Sequence, residues 1–260
     1  MSLLNAIILG IVEGITEFLP ISSTAHLIIA SKFLRISQTD FQKFFEVFIQ
    51  SGAIFAVVFL YLQYVLKHKE VIKHILFSFF PTAVVGFLLH KMIKTIFFES
   101  YFLIIGAMIF FGAIFLVIEY LISSKKLVLR KTIQKTSWKE AILIGFSQAI
   151  AVIPGVSRSG IVMVTMMGMG YKRDESAVYS FLLAVPTIVA ASALDVYKIK
   201  SVLYIVPQEN LFYLITGFIV SFIIAYLSMM WFISFLQKKS LVIFGWYRIV
   251  GGILLLIIGK

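Results

Sequence analysis

The chain has 260 residues, 61% of them hydrophobic and 13% charged, with no cysteine, and its mean hydropathy is +1.03. A soluble domain is roughly 45–50% apolar and about 25% charged, so this composition gives an all-α polytopic membrane protein, while the lack of cysteine excludes disulfides and thiolate metal sites. The net charge of +11 sits mainly in short gaps between apolar runs, which suits an anionic membrane surface and topology control and argues against nucleic acid as a partner.

At roughly 20 apolar residues per crossing, the chain has room for six to eight spans. The opening segment, 1–39, has no basic residue before Lys32. It lacks the charged start of a cleaved signal peptide and is expected to belong to the mature protein. Gly10, Gly14 and Pro20 interrupt it, and it carries the polar run Glu13-Gly14-Ile15-Thr16-Glu17-Phe18-Leu19-Pro20-Ile21-Ser22-Ser23-Thr24-Ala25-His26. Spans are predicted at 43–65, 71–93 and 101–122, with Lys67, Lys69 and Lys73 in the first gap. A basic stretch follows, with Lys125, Lys126, Arg130, Lys131, Lys135 and Lys139. Next comes a second interrupted segment, 140–171, broken by Gly145, Pro154, Gly155 and Gly160 and carrying Pro154-Gly155-Val156-Ser157-Arg158-Ser159-Gly160. Three further spans are predicted at 175–197, 211–236 and 241–258, with Lys172, Arg173, Lys238 and Lys239 in the gaps.

The four basic gaps can share one face. The other face then receives the lighter load of Lys32, Arg35, Lys43, Lys91, Lys94, Lys198, Lys200 and Lys260, and the positive-inside rule places both termini outside. Segments 1–39 and 140–171 must then enter and leave on the same face. Irregular backbone at that depth needs protein or a wet cavity around it, so both read as re-entrant helical hairpins. The halves also resemble each other: Gly10-x-x-Glu13 leading to Pro20-x-x-Ser23 matches Gly145-x-x-Gln148 leading to Pro154-x-x-Ser157 with one residue of slippage. The expectation is a single membrane domain, 1–260, of six transmembrane helices plus two re-entrant hairpins. Its inverted-repeat halves would be 1–124 and 138–260, joined by a basic cytoplasmic loop 125–137, a plan in which paired broken helices meet near the midplane and build a site.

Ionisable groups at membrane depth are costly and mark function. Glu13 and Glu17, four apart, fall on one helix face, and Pro20 is expected to end that helix. Ser22 or Ser23 lies four or three residues before His26 on the next helical stretch. A hydroxyl, an imidazole and two carboxylates thus share one neighbourhood, as a nucleophile with a proton carrier requires, the carboxylates serving as a metal-ligand pair or a base-orienting pair. The second run supplies positive charge. Arg158 presents a planar fork suited to phosphate, flanked by Ser157, Ser159 and the flexible Gly155 and Gly160; if Gly160 begins a helix, its amides point at the same place. Arg158 could instead pair structurally with Glu13 or Glu17. Together these groups suit phosphoryl transfer on a substrate with a lipid tail. A secondary transporter or lipid flippase with the same architecture is the rival reading; an intramembrane protease is disfavoured because His-Glu-x-x-His is absent and no Asp pair stands out.

These two runs resemble the signature motifs of the bacterial undecaprenyl-diphosphate phosphatases, the BacA/UppP family, and the resemblance extends over essentially the whole chain, including FLLAVP at 181–186 and ALDVYK at 193–198. It implies hydrolysis of undecaprenyl diphosphate to the monophosphate in the bacterial plasma (inner) membrane, recycling the lipid carrier for cell-wall glycan synthesis. It also implies a divalent cation (Mg or Ca), a site opening to the outer face, membrane lipids and the polyprenyl diphosphate as partners, and a homodimer as one assembly open to it. Carried onto this chain, the motifs give Glu17, Ser23, His26 and Arg158 as catalytic residues, Ser22, Thr24, Ser157, Ser159 and Gly160 as substrate-binding, and Glu13 with Glu17 as the metal pair. Where the family pattern has a threonine two positions after the last motif glycine, this chain has Val162, with Thr165 three residues on.

Of the remaining polar groups in apolar runs, Gln50, Gln148 and Asp195 are expected to bond neighbouring helices. His68, His74 and His90 are expected at the interface, and Tyr247 and Arg248 to snorkel or pair inside the last span.

Overall fold

The computed structural model describes residues 1–37, 39–92, 100–198 and 208–258. Lys94, Lys200 and Lys260, and the side chains of His90, Lys91, Asp195 and Lys198, lie outside the described residues. The helices are α1 (Leu3–Thr16), α2 (Ser23–Phe33), α3 (Asp40–Lys67), α4 (Lys69–Met92), α5 (Tyr101–Ser123), α6 (Trp138–Ala149), α7 (Arg158–Gly168), α8 (Arg173–Lys198), α9 (Gln208–Leu236) and α10 (Val242–Ile258). Their starts are chemically marked. Ser2, Thr39 and Ser100 accept hydrogen bonds from backbone N–H groups in the first turns of α1, α3 and α5, and Ser137 with Glu140 forms a capping box on α6, satisfying donors that a helix start leaves open.

Among the described residues, five helices are long and apolar enough to cross a membrane, α3, α4, α5, α8 and α9. The last predicted span, 241–258, folds as α10 (Val242–Ile258), whose 17 residues reach about 25 Å at 1.5 Å per residue. The two interrupted segments fold as helical pairs, α1 with α2 and α6 with α7. With 14 and 12 residues, α1 and α6 reach only about 21 and 18 Å, short of a hydrocarbon core of roughly 30 Å.

Close contacts fix the relative directions of the helices. Gly10 and Gly14 of α1 face Gly217 and Ile224 of α9 in the same order, so these helices run parallel. Gly145 of α6 meets Ser78 and Pro81 of α4, and Gln148 bonds Thr82, again in parallel. By contrast, α5 and α10 pack antiparallel, with Gly112 meeting Gly245 and Ile109 meeting Gly252.

Four hydrogen bonds gather the basic gaps at one end of the bundle. Gln134 reaches the Tyr64 hydroxyl, the Ile133 N–H donates to Glu175, the Tyr171 hydroxyl to Glu140, and the Leu241 N–H to Glu119, which also pairs with Arg173. The bond from Tyr171 to Glu140 also shows that the segment through α6 and α7 returns to where it began. At the opposite end Leu27, Leu34 and Ile36 pack with Met1, Ala6 and Phe41, so the first hairpin returns likewise.

Between the ends, one side chain from α10 joins both turns. Arg248 is 0% exposed, lies over the Phe115 ring at 5.3 Å, and donates to the carbonyls of Pro20 at 3.1 Å, Gly155 at 2.6 Å, Val156 at 2.9 Å and Met108 at 3.4 Å. Of the two expectations for it, snorkelling to the surface is corrected; it stays inside, bonded to carbonyls. Turn carbonyls at this depth have no water to bond, and a planar guanidinium with several donors satisfies them at once.

Two substitutions check this packing. A Cβ on Gly145 would lie 2.2 Å from the Ser78 carbonyl oxygen, whereas one on Gly86 meets nothing within 4 Å. Gly145→Ala is expected to destabilise by roughly 1–3 kcal/mol and Gly86→Ala to be neutral or mildly stabilising, read as melting temperatures in detergent. Arg248→Lys retains the charge but not the fork and is expected to cost on the order of 3 kcal/mol in the same measurement.

Candidate active site

Each hairpin breaks at a serine in the left-handed region. Ser22 before α2 and Ser157 before α7 have φ of +73° and +71°, a conformation that costs on the order of 1–3 kcal/mol in a non-glycine residue. Ser22 and Ser157 are therefore the structural counterparts, spaced in the chain like Glu13 and Gln148. This corrects the matching of Ser23 with Ser157: the break is set by the backbone of the capping residue, while each proline needs only to lie within its turn. The first helical residues after the breaks are thus Ser23 in one hairpin and Arg158 in the other.

Both meet Glu17. This residue lies just beyond α1 but keeps helical dihedrals, its N–H bonded to the Glu13 carbonyl, so the two acids stay on one face as the spacing predicts. The Ser23 hydroxyl donates to Glu17 Oε2 at 2.6 Å, and Arg158 Nη2 donates to Glu17 Oε1 at 2.8 Å. The side chains of Arg158 and Glu17 are 13% and 6% exposed, so their attraction is little screened. The guanidinium also approaches the Ser180 carbonyl through Nη1 at 3.5 Å. Its remaining N–H groups are available to an anion, so pairing with Glu17 and binding phosphate are compatible.

The contact expected between a serine hydroxyl and His26 is not made. His26 Nδ1 bonds the Ser22 carbonyl at 2.8 Å, and Nε2 bonds the Tyr247 hydroxyl at 2.6 Å. The group touching the Ser23 hydroxyl is Glu17, because Ser23 opens its helix on the side of the α1 terminus, whereas His26 lies a turn further along beside α10.

Glu13 is fully buried, rests against Glu17, and has no donor on either carboxylate oxygen. Its counterpart Gln148 reaches the neighbouring helices as expected, donating to Thr82 Oγ1 at 2.9 Å and Thr187 Oγ1 at 3.1 Å. Among the described residues no three His, Asp or Glu side chains converge as a metal cage; the acids available to a cation here are Glu13 and Glu17.

The other motif residues face inward. Ser157 and Ser159 share a hydrogen bond at 3.2 Å, Ser159 Oγ donates to the Leu19 carbonyl at 3.1 Å, and the Gly160 N–H donates to Ser157 Oγ at 3.3 Å. The helix begins at Arg158 rather than Gly160, so the Gly160 N–H is spent on the Ser157 hydroxyl that caps α7 instead of pointing into the site. Ser159 fastens the second turn to the first, while Ser157 and Gly160 brace the second turn internally. Ser22 is buried and Thr24 half-buried. Val162 is fully buried in the core, with Thr165 near the far end of α7.

Sequence reasoning passed over Glu46 and gave Tyr247 and Arg248 no part in the site. Glu46 Oε1 accepts from Ser31 Oγ and Gln42 Nε2, both at 2.9 Å, tying α2 to α3. An acid four residues after a glutamine in an apolar span, and an arginine midway along the last, were the signals available. Of the residues expected at the interface, His68 stacks on Tyr64 at the end of α3.

The sequence matches the family described as bacitracin resistance protein BacA over residues 6–254. Among similar proteins, the undecaprenyl-diphosphatase of Sulfurihydrogenibium sp. (strain YO3AOP1) is 45% identical over 254 residues, 98% of each chain. That of Wolinella succinogenes is 44% identical over 259 residues, again 98% of each. That of Aquifex aeolicus (strain VF5) is 45% identical over 256 residues, 96% of this chain and 95% of its own. With a match of this extent, this integral, multi-pass membrane protein belongs to the BacA family.

Proposed function

We propose that the protein hydrolyses undecaprenyl diphosphate to undecaprenyl phosphate and orthophosphate, recycling the lipid carrier for cell-wall glycan synthesis. The observation that carries the reading is the cluster in which one buried carboxylate, Glu17, holds a serine hydroxyl on one oxygen and a guanidinium on the other. The relatives bearing the undecaprenyl-diphosphatase name supply the substrate class.

The free N–H groups of Arg158 bind the diphosphate and offset the charge that spreads over the phosphoryl oxygens. Ser23 Oγ attacks the terminal phosphorus, its proton passing to Glu17 Oε2. The bond from that phosphorus to the bridging oxygen breaks, and undecaprenyl phosphate leaves. Water then attacks the phosphoseryl group, giving up a proton to His26. Ser23 recovers its proton from Glu17 as orthophosphate departs. Direct attack by water, organised by the same groups, is the variant that Ser23 substitution separates.

Glu13 and Glu17 would hold a divalent cation, Mg or Ca. A buried carboxylate with two undonated oxygens fits such a group, since hard cations take carboxylate oxygens together with substrate phosphates. When bound, it would neutralise phosphate charge.

The topology proposed is two inverted halves, 1–124 and 138–260, joined by a cytoplasmic loop 125–137, with six crossings, two re-entrant hairpins and a site open to the outer face of the bacterial inner membrane. Support comes from the parallel packing of α1 on α9 and of α6 on α4, and from the basic gaps meeting at one end.

Purified protein in detergent, given a polyprenyl diphosphate, is expected to release orthophosphate, to stop with chelator and to resume with Mg or Ca. A flippase would move the lipid without releasing phosphate. Ser23→Ala is expected to lower turnover by about 10³-fold or more; near-wild-type turnover would rule out seryl attack. Arg158→Ala, assayed where it is still folded, is expected to lose about 10²–10³-fold in turnover, with a lowered melting temperature because Glu17 is left without its buried partner.

A further inference from the structure

Tyr247 belongs to none of the motifs, yet its hydroxyl lies 2.6 Å from His26 Nε2 and the two rings stack at 5.7 Å with an interplanar angle of 12°. The other ring nitrogen settles the protonation pattern. His26 Nδ1 is 2.8 Å from the Ser22 carbonyl oxygen, and a carbonyl can only accept, so Nδ1 carries the hydrogen. In the neutral ring Nε2 then has a lone pair, and the tyrosine hydroxyl is its donor.

We propose that Tyr247 is a positioning residue of this site: with the Ser22 carbonyl setting the tautomer, it donates to the basic Nε2 of His26, holds the ring plane, and yields Nε2 to the hydrolytic water when substrate enters. The proposal rests on the phosphatase reading and adds to it a residue that no motif assigns. Three features of the fold suit Tyr247 to the task. Its neighbour Arg248 is locked by the carbonyls of both turns, so the backbone bearing Tyr247 is fixed relative to Ser22, which holds the other side of the imidazole. Ser22 is itself pinned at φ +73°. Third, Tyr247 remains 48% exposed, so its hydroxyl can swing away from Nε2 without unpacking the core. Fixing an imidazole tautomer through the nitrogen that does not react, and its plane through a neighbouring ring, is a common way to prepare a general base.

Tyr247→Phe keeps the stacking ring and removes only the hydroxyl. With a polyprenyl diphosphate as substrate, it is expected to lower kcat about tenfold, equivalent to roughly 1.4 kcal/mol, with KM within about twofold and an unchanged melting temperature. The second readout is independent of turnover. In protein labelled with ¹⁵N-histidine, with His26 assigned by its loss in His26→Gln, the wild type is expected to show a protonated Nδ1 and an unprotonated Nε2 at neutral pH. In Tyr247→Phe the Nε2 resonance is expected to shift as its donor is lost. A protonated Nε2 in the neutral ring of the wild type, or a His26 spectrum and kcat unchanged by Tyr247→Phe, would overturn the proposal. Failure of the phosphatase reading would instead appear as a wild type that releases no phosphate, whatever the His26 spectrum.

Discussion

Everything at the centre of this protein depends on how two broken turns survive where there is no water. Each turn exposes carbonyl groups that no helix can satisfy, and an unsatisfied backbone group in hydrocarbon costs several kcal/mol. Arg248 resolves this for both turns together, reaching Pro20 in one and Gly155 and Val156 in the other. Because bonds to a charged donor are each worth about 1.5–3 kcal/mol, one residue both removes the penalty and fixes the distance between the hairpins. The Ser159 hydroxyl on the Leu19 carbonyl adds a direct link. Gly155, at φ +93°, lets the second turn pass against the Ile104 carbonyl, where a Cβ would lie at 2.3 Å.

With the turns fixed, two arginines divide the work. Arg248 is spent on carbonyls and is sealed from the site. Arg158 is bound on one flank by Glu17 and keeps donors for an anion. A lysine would do either less well: its ammonium has three donors on one point rather than five spread over a planar fork, so it reaches fewer separated carbonyls and offers no second edge to an anion.

The two hairpins share a backbone plan but not a chemistry. Where one has Glu13, the other has Gln148, which settles on Thr82 and Thr187 as an ordinary interhelical contact. Where one opens its second helix with Ser23, the other does so with Arg158. The acid, hydroxyl and imidazole are concentrated in the first hairpin and the positive charge in the second, so neither makes the cluster alone. Glu17 is the point at which the two hairpins meet.

Much was legible in the sequence because its causes are local or bulk properties. Hydropathy marks apolar segments, glycine and proline break them, four-residue spacing puts Glu13 and Glu17 on one face, and the basic gaps assort by charge. The two motifs put Glu17, Ser23, His26 and Arg158 forward as one catalytic set, with the imidazole expected beside the serine. What only the tertiary structure decided were contacts across long stretches of chain: that Ser23 bonds Glu17 while His26 turns to Tyr247, that Ser157, Ser159 and Gly160 spend their polar groups on the turns, and that Arg248 ties both hairpins together. No spacing rule reaches from Pro20 or His26 to the last helix, because such partners are chosen by which carbonyls and ring nitrogens packing leaves without water.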